Sequence, residues 1–318
     1  MALSVKLRSF LLKGAMFLFL CCLFLFPGAA LTGAKNGLLL WFNQVLPSLL
    51  PFLILSSLFL SNGLSDSLAA RLAPILSPVF RCSPSGCYAV VIGLLSGLPV
   101  GARTVASLME SGRISKKEGQ YLLPLCNNPS PLFLLGFLSS SVLKRSDLRY
   151  PVLFIVIGAS VLSAMLLRPR RHSRIVEDAV CHSSSFPLKS FTFSFLLLDS
   201  AIEQAFSVLT RVGGYIILFS VSASLLAKLP FSPLCLACAG SVLEITTGSV
   251  SLDSLSLPSH ITIPLITCFV TFGGLSAAAQ TKSVLAGTKL PFAHYLLTKS
   301  VAGLLAGLFM SAYLRFFA

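Results

Sequence analysis

The sequence predicts an all-α polytopic membrane protein built from two inverted-topology repeats, each with a re-entrant hairpin and a broken transmembrane helix. Three observations predict it. The 318-residue chain is 55% hydrophobic and only 11% charged, with a mean hydropathy of +0.89. Its apolar runs are long and continuous, as spanning helices require, and do not alternate with polar residues as barrel strands do. Both halves also carry Gly, Pro and polar residues inside such runs, where an uninterrupted helix would avoid them.

The interruptions are densest over residues 93–137. Gly97, Pro99 and Gly101 weaken any helix passing through Ser96-Gly97-Leu98-Pro99-Val100-Gly101-Ala102-Arg103. Further on, Asn127-Asn128-Pro129-Ser130-Pro131 sets two amides in an apolar run and removes two backbone donors beside them. Broken backbone at membrane depth is tolerated only where protein buries it or a watery cavity reaches it. Interrupted segments in corresponding positions of two halves point to a transporter's binding site.

Taken in order, residues 1–36 have a basic start (Lys6, Arg8, Lys13) and an apolar core. They read as an N-terminal transmembrane helix rather than a cleaved signal peptide. The first repeat, 37–167, opens with a span over 38–60, where Pro47 and Pro51 predict a kink or break. Residues 61–84 read as a polar connector and 85–109 as a re-entrant hairpin. Ser115-Lys116-Lys117-Glu118 reads as a capping box opening the next helix. That helix continues as a broken span over 121–142, and a further span covers 151–167. The basic, serine-rich stretch 168–190 reads as a linker. The second repeat, 191–318, holds an amphipathic stretch at 191–204, a span at 212–227 and a hairpin at 231–251. A span at 261–285, broken at Gly273-Gly274, and another at 295–316 complete it. By length and hydropathy, seven or eight runs are long enough to span.

With the N-terminus cytoplasmic, the elements follow the same order in both halves with reversed orientation. Most Lys and Arg then lie inside, among them Arg113, Lys116, Lys117, Arg168, Arg211, Lys282 and Lys299, as the positive-inside rule requires. Lys144, Arg145 and Arg149 run against the rule. The net charge of +14 is thereby explained by loops, and no nucleic-acid partner is expected. Cysteines in apolar runs read as small hydrophobes, and Cys235-x-x-Cys238 lacks the second pair or nearby His of a metal site. Cys82 and Cys87 read as free thiols flanking a turn. His172, His182, His260 and His294 fall in loops or at span edges, so Ser96 has no partner for nucleophilic chemistry. An enzyme is not expected, nor a cofactor or metal.

Three segments are familiar. Ser96-Gly97-Leu98-Pro99-Val100-Gly101-Ala102-Arg103, Asn127-Asn128-Pro129-Ser130-Pro131-Leu132-Phe133, and Phe272-Gly273-Gly274-Leu275-Ser276 with Gln280 resemble the sporulation integral membrane protein YlbJ family. The resemblance covers about 38–316. That family carries the nucleoside-recognition Gate domain and is distantly similar to concentrative nucleoside transporters. The resemblance implies a role in endospore formation: moving dipicolinic acid across the outer forespore membrane, from mother cell toward forespore. A non-transporting sporulation scaffold or signalling protein, and a nucleoside transporter, are the alternatives.

Dipicolinate is a planar pyridine with two carboxylates. A site for it needs positive potential, hydrogen-bond donors and a flat apolar slot. Helix N-termini at the breaks bind anions. Asn127, Asn128, Ser130, Thr246, Thr247, Ser276 and Gln280 are expected to add donors, and Arg103 to grip a carboxylate with two parallel hydrogen bonds. Gly97, Pro99, Gly101, Pro129, Pro131, Gly273 and Gly274 are expected to break the backbone. Glu244 is an acid deep in an apolar run, expected to carry a coupling proton or Na⁺, or to pair with Arg103. The bland readings are that Asn127 and Asn128 hold the bundle together by interhelical hydrogen bonds, and that Arg103 snorkels to the interface. The expected surroundings are the lipid bilayer of the cell or outer forespore membrane, with a homo-oligomer open.

Overall fold

The computed structural model describes residues 2–61, 64–169, 194–285, 287–288 and 290–317. Apart from 168 and 169, the expected linker at 168–190 lies outside the described residues. Among the described residues every regular element is helical. Four helices are long and apolar enough to cross a membrane, or up to six if each sharply bent pair forms one span. That is fewer than the seven or eight runs counted by hydropathy, because several runs fold as shorter helices.

Helix α1 (Ala2–Leu25) and α2 (Pro27–Leu40) meet at a bend of 100°. Pro27 opens α2, and the residue before a proline is pushed out of the helical region. Phe26 is accordingly non-helical, with φ −127° and ψ 56°. From α2 the chain passes through a π-helical turn, Trp41–Val45, into α3 (Leu46–Ser61). The break expected at Pro47 and Pro51 is therefore a widened turn just upstream; it accommodates the missing proline N–H without ending the helix. The connector expected at 61–84 is instead mostly helix α4 (Leu64–Phe80). Leu64, Leu68, Leu72, Ile75, Leu76 and Val79 recur at helical spacing between its polar residues.

Helices α5 (Pro84–Ser96) and α6 (Val100–Glu110) form the first hairpin. At 1.5 Å per residue they are about 20 and 16 Å long, too short to cross a hydrocarbon core of about 30 Å. Gly93 and Gly101 both face the backbone carbonyl of Cys126, so closely that a Cβ at either would collide with it. That carbonyl closes α7 (Lys116–Cys126). The capping box is half realised. Ser115 Oγ accepts from the Glu118 N–H at 3.2 Å, but the Glu118 carboxylate turns away to accept from Ser83 N at 2.7 Å. After the break, a π-helical segment α8 (Phe133–Val142) and helix α9 (Arg149–Leu166) complete the first half.

The stretches expected separately at 191–204 and 212–227 are one helix, α10 (Phe195–Leu226), of 32 residues. Gly213 does not break it. It makes room for Trp41, whose ring atom Cε2 would lie 2.7 Å from an added Cβ and whose Nε1 donates to Leu209 O at 3.0 Å. Helices α11 (Pro233–Leu243) and α12 (Ile245–Asp253) form the second hairpin, turning at Glu244 and packed where Gly248 meets the Ser241 backbone. Then come α13 (Ser259–Phe272), α14 (Gly274–Val284) and α15 (Phe292–Phe317).

The two halves interlock. Helix α10 of the second half lies along α2 and α3 of the first, and α15 lies along both α13 and α9. Gly33 and Gly37 of α2 sit on Ser220, Val221 and Ser224 of α10. This is the small-residue packing that membrane helices use where lipid supplies no hydrophobic drive. The boundary expected between residues 36 and 37 thus falls inside α2.

Gly101→Ala should lower stability by about 1–3 kcal/mol, since its neighbour is backbone that cannot move aside. Gly158→Ala, in α9 with open space around it, should be neutral or stabilising. Thermal unfolding of the two variants in one detergent tests the contrast.

Candidate functional site

Each hairpin tip docks on the break of the span that follows it. In the first half, Leu98 N donates to Asn128 O at 2.8 Å. Gly97 holds φ +70° and lies so close that an added Cβ would stand 2.6 Å from Ser130 N. Only glycine suits both the conformation and the space. In the second half, the break uses two left-handed residues, Gly273 at φ +94° and Gly274 at φ +72°. A Cβ on Gly274 would lie 3.3 Å from the carbonyl oxygen of Leu243 and 3.4 Å from that of Val242, at the tip of the second hairpin.

Between these two docked pairs lies a small inner cavity of about 70 Å³. Leu98, Pro129, Ser130 and Phe133 line it from the first half; Glu244, Ile245, Thr246, Gly273, Ser276, Ala277 and Gln280 line it from the second. A larger cavity of about 760 Å³ adjoins it at Gln280, which lines both. Arg103, Arg113 and Arg211 line this vestibule together with Pro99, Thr104, Ser107, Ser111, Gln204, Ser207 and Ser283, and no Asp or Glu is among its described lining residues. The C-terminal ends of α3, α6 and α14 and the N-terminal half of α10 meet there. The orientation expected from sequence puts all four on the same side.

The site residues expected from sequence divide in three. Ser130, Thr246, Ser276, Gln280 and Glu244 face the inner cavity, with Pro129 and Gly273; Arg103 and Pro99 face the vestibule. Gly97, Gly101 and Gly274 set the close approaches, and Pro131 lies just past the break, before α8. Asn127, Asn128 and Thr247 line neither of these cavities.

Both asparagines hold elements together through their side chains. Asn127 Nδ2 donates to Thr281 Oγ1 at 2.7 Å and to Tyr295 Oη at 2.9 Å. Asn128 Nδ2 donates to Leu125 O at 2.7 Å, and Asn128 Oδ1 accepts from Lys299 Nζ at 2.9 Å. These are interhelical hydrogen bonds that tie the break to helices α14 and α15, while the Leu125 and Asn128 carbonyls are satisfied within the first half. Thr247 Oγ1 meets Ser220 Oγ at 2.7 Å, tying the hairpin to α10.

Glu244 does not pair with Arg103. It caps α12: Oε1 accepts from Thr246 N at 3.0 Å and Thr246 Oγ1 at 2.5 Å, and Oε2 from Thr247 N at 2.7 Å and Thr247 Oγ1 at 2.9 Å. A carboxylate offers about four acceptor positions, and all are taken. The negative charge sits at the positive end of a helix. A cation such as Na⁺ would have to displace these donors.

Compared with known proteins, the chain is 28% identical to the sporulation integral membrane protein YlbJ of Bacillus subtilis (strain 168), over 94% of this chain and 81% of that one. The similarity to this YlbJ protein runs over nearly the whole of the chain. No protein-family model matches it, and no solved structure does.

Four residues carry interactions beyond those expected from sequence. Lys299 was placed among the cytoplasmic basic residues; it is 1% exposed and buried in α15. Tyr295, one turn earlier on the same face, and Thr281 bind Asn127. Glu118 is a second buried acid, placed where it receives the first N–H before α5. The signal available for Lys299 was a single cation within an apolar helix.

Glu244→Gln keeps the shape but loses two acceptor positions and the charge. It should lower stability by about 1–2 kcal/mol, measured by thermal unfolding in detergent. Glu203→Gln, an exposed acid on α10, should change little.

Proposed function

We propose that this protein transports a small organic anion, dipicolinate, across a membrane of a sporulating cell. The observation that carries the proposal is the vestibule with three arginines and no acid among its described lining residues, joined through Gln280 to a small, largely apolar cavity with a few polar groups between two broken elements. Positive lining concentrates anions and raises their rate of arrival. The vestibule volume falls within the roughly 300–1,000 Å³ of small-molecule sites, and the inner cavity falls well below it. In this arrangement a dicarboxylate is captured in the vestibule, with Arg103 gripping one carboxylate. It passes inward only when a hairpin tip shifts off its break and widens the inner cavity. Ser130, Thr246, Ser276 and Gln280 then supply its hydrogen bonds.

The sporulation role follows the similarity to YlbJ, and the outer forespore membrane is the proposed location. With the N-terminus cytoplasmic, the vestibule opens to the cytoplasm of the mother cell. Small-molecule transport without covalent chemistry needs no catalytic residue and no cofactor.

The test is uptake of labelled dipicolinate by proteoliposomes. Uptake should saturate, and Arg103→Gln should raise KM about tenfold, the loss of one charge-assisted contact. Ser276→Val should lower the maximal rate more than it changes KM. Uptake of labelled uridine or adenosine that dipicolinate does not compete with, in place of dipicolinate uptake, would make the protein a nucleoside transporter. Absence of uptake by correctly inserted protein would turn the proposal toward a scaffold.

A further inference from the structure

We infer that Lys299 is a proton-binding site that couples transport to a proton gradient by holding and releasing the break at Asn128. The inference rests on the transport reading above.

Three charged-type side chains are buried among the described residues: Glu118, Glu244 and Lys299. The two carboxylates are held at helix starts by backbone N–H donors. Lys299 is not held in this way. Its one hydrogen-bond partner among the described residues is the neutral amide oxygen of Asn128, 2.9 Å away. An ammonium has three donors, so two of its three have no described partner. The one ion pair among the described residues is Arg145 with Asp147, elsewhere and exposed. Next in the chain, Asn127 Oδ1 is buried and accepts nothing.

A buried ammonium without a counter-charge is costly, and burial favours the neutral amine. The hydrogen bond to Asn128 Oδ1 favours the protonated form. A proton carrier requires that both forms be accessible, and the inference is that these opposed effects make them so. The titratable groups on the elements packed around α15 do not resolve the conflict. Glu118 on α7 is committed to Ser83 N; Tyr121 and Cys126 on α7, Cys268 on α13 and His294, Tyr295 and Tyr313 on α15 are not carboxylates, and Arg315 is a cation near the end of α15. The exposed Lys116 and Lys117 on α7, Arg149 and Tyr150 on α9 and His260 on α13 lie at or near helix ends. None supplies an anion to Lys299.

Asn128 is where the proton is converted into movement. Its backbone oxygen holds the hairpin tip at Leu98, and its side chain ties together Leu125 and Lys299. The protonated amine donates to Oδ1 and fixes the break. When the proton leaves to water, the amine loses its charge-assisted bond, and the break with its docked tip is freed to shift. The exchange is one proton between Nζ and solvent, with no other bond made or broken.

The experiment uses full-length protein in proteoliposomes. Dipicolinate accumulation is measured across external pH, with and without a pH gradient, beside a pH-sensitive dye. Wild type should show a pH transition in uptake, gradient-dependent accumulation and proton movement on substrate addition. Lys299→Met and Lys299→Arg should each reduce the ratio of accumulation with and without the gradient to about one. Asn128→Asp sets a carboxylate against the ammonium and raises its affinity for the proton, so the pH transition should move upward by a unit or more, a tenfold change per unit. A structural lysine would not move that transition. Wild-type uptake that ignores the gradient overturns the inference while leaving transport intact, as does gradient-driven uptake unchanged in Lys299→Met or a transition unmoved in Asn128→Asp. Absence of uptake at every pH in wild type removes the transport reading itself.

Discussion

Broken backbone inside a bilayer leaves amide and carbonyl groups that lipid cannot hydrogen-bond, and the packing around this site follows from that need. Asn127 and Asn128 answer it on one side. Their side chains reach α14 and α15, and the Asn128 carbonyl takes the N–H of Leu98. In the second half the need is met differently. Glu244 supplies a full carboxylate to the start of α12, and the glycine pair at 273 and 274 lets the backbone turn beside the tip. In the first half the polar anchor is a pair of amides with a lysine at the break; in the second it is an acid with two threonines at the hairpin tip. The inner cavity lies between them, with unlike chemistry on its two walls.

This asymmetry bears on how such a molecule can move. Because α10 lies on α2 and α3, and α15 lies on α9, neither half is a free body. The glycine contacts at Gly33 and Gly37 leave no slack between α2 and α10. The hairpins are different: each is short, and each tip is held chiefly by backbone contact with a break. Local displacement of a tip requires few bonds to change, whereas rocking one half against the other would unpack the longest interfaces.

Much of this was legible in the sequence because the rule broken was so strict. Glycine, proline and asparagine in apolar runs have few explanations, so both hairpins and both breaks were placed within a few residues of their observed limits. What misled the reading was polarity without periodicity. Helix α4 looked like connector because its polar residues sit between leucines that a helix brings to one face. Helix α10 reads as two pieces in sequence because polar residues such as Asp199, Glu203 and Arg211 precede its apolar run, and nothing local shows that Gly213 seats Trp41. The site was legible in part: Ser130, Thr246, Ser276 and Gln280 face the inner cavity as expected, while Asn127 and Asn128 turn away from it. Side-chain direction at a break depends on what packs behind it, and Lys299, Tyr295 and Thr281 are far off in the chain.

That distance has a consequence for biogenesis. Asn128 and Lys299 are separated by 171 residues, and Asn127 and Tyr295 by 168. At synthesis rates of about 5–20 residues per second, the amides of the first break precede their partners by roughly 10–30 s. Throughout that interval the hairpin and break have no complete set of hydrogen bonds within the chain. They must be kept in contact with water or with the insertion machinery until α15 emerges. The site between the halves is therefore completed only once α15 has inserted.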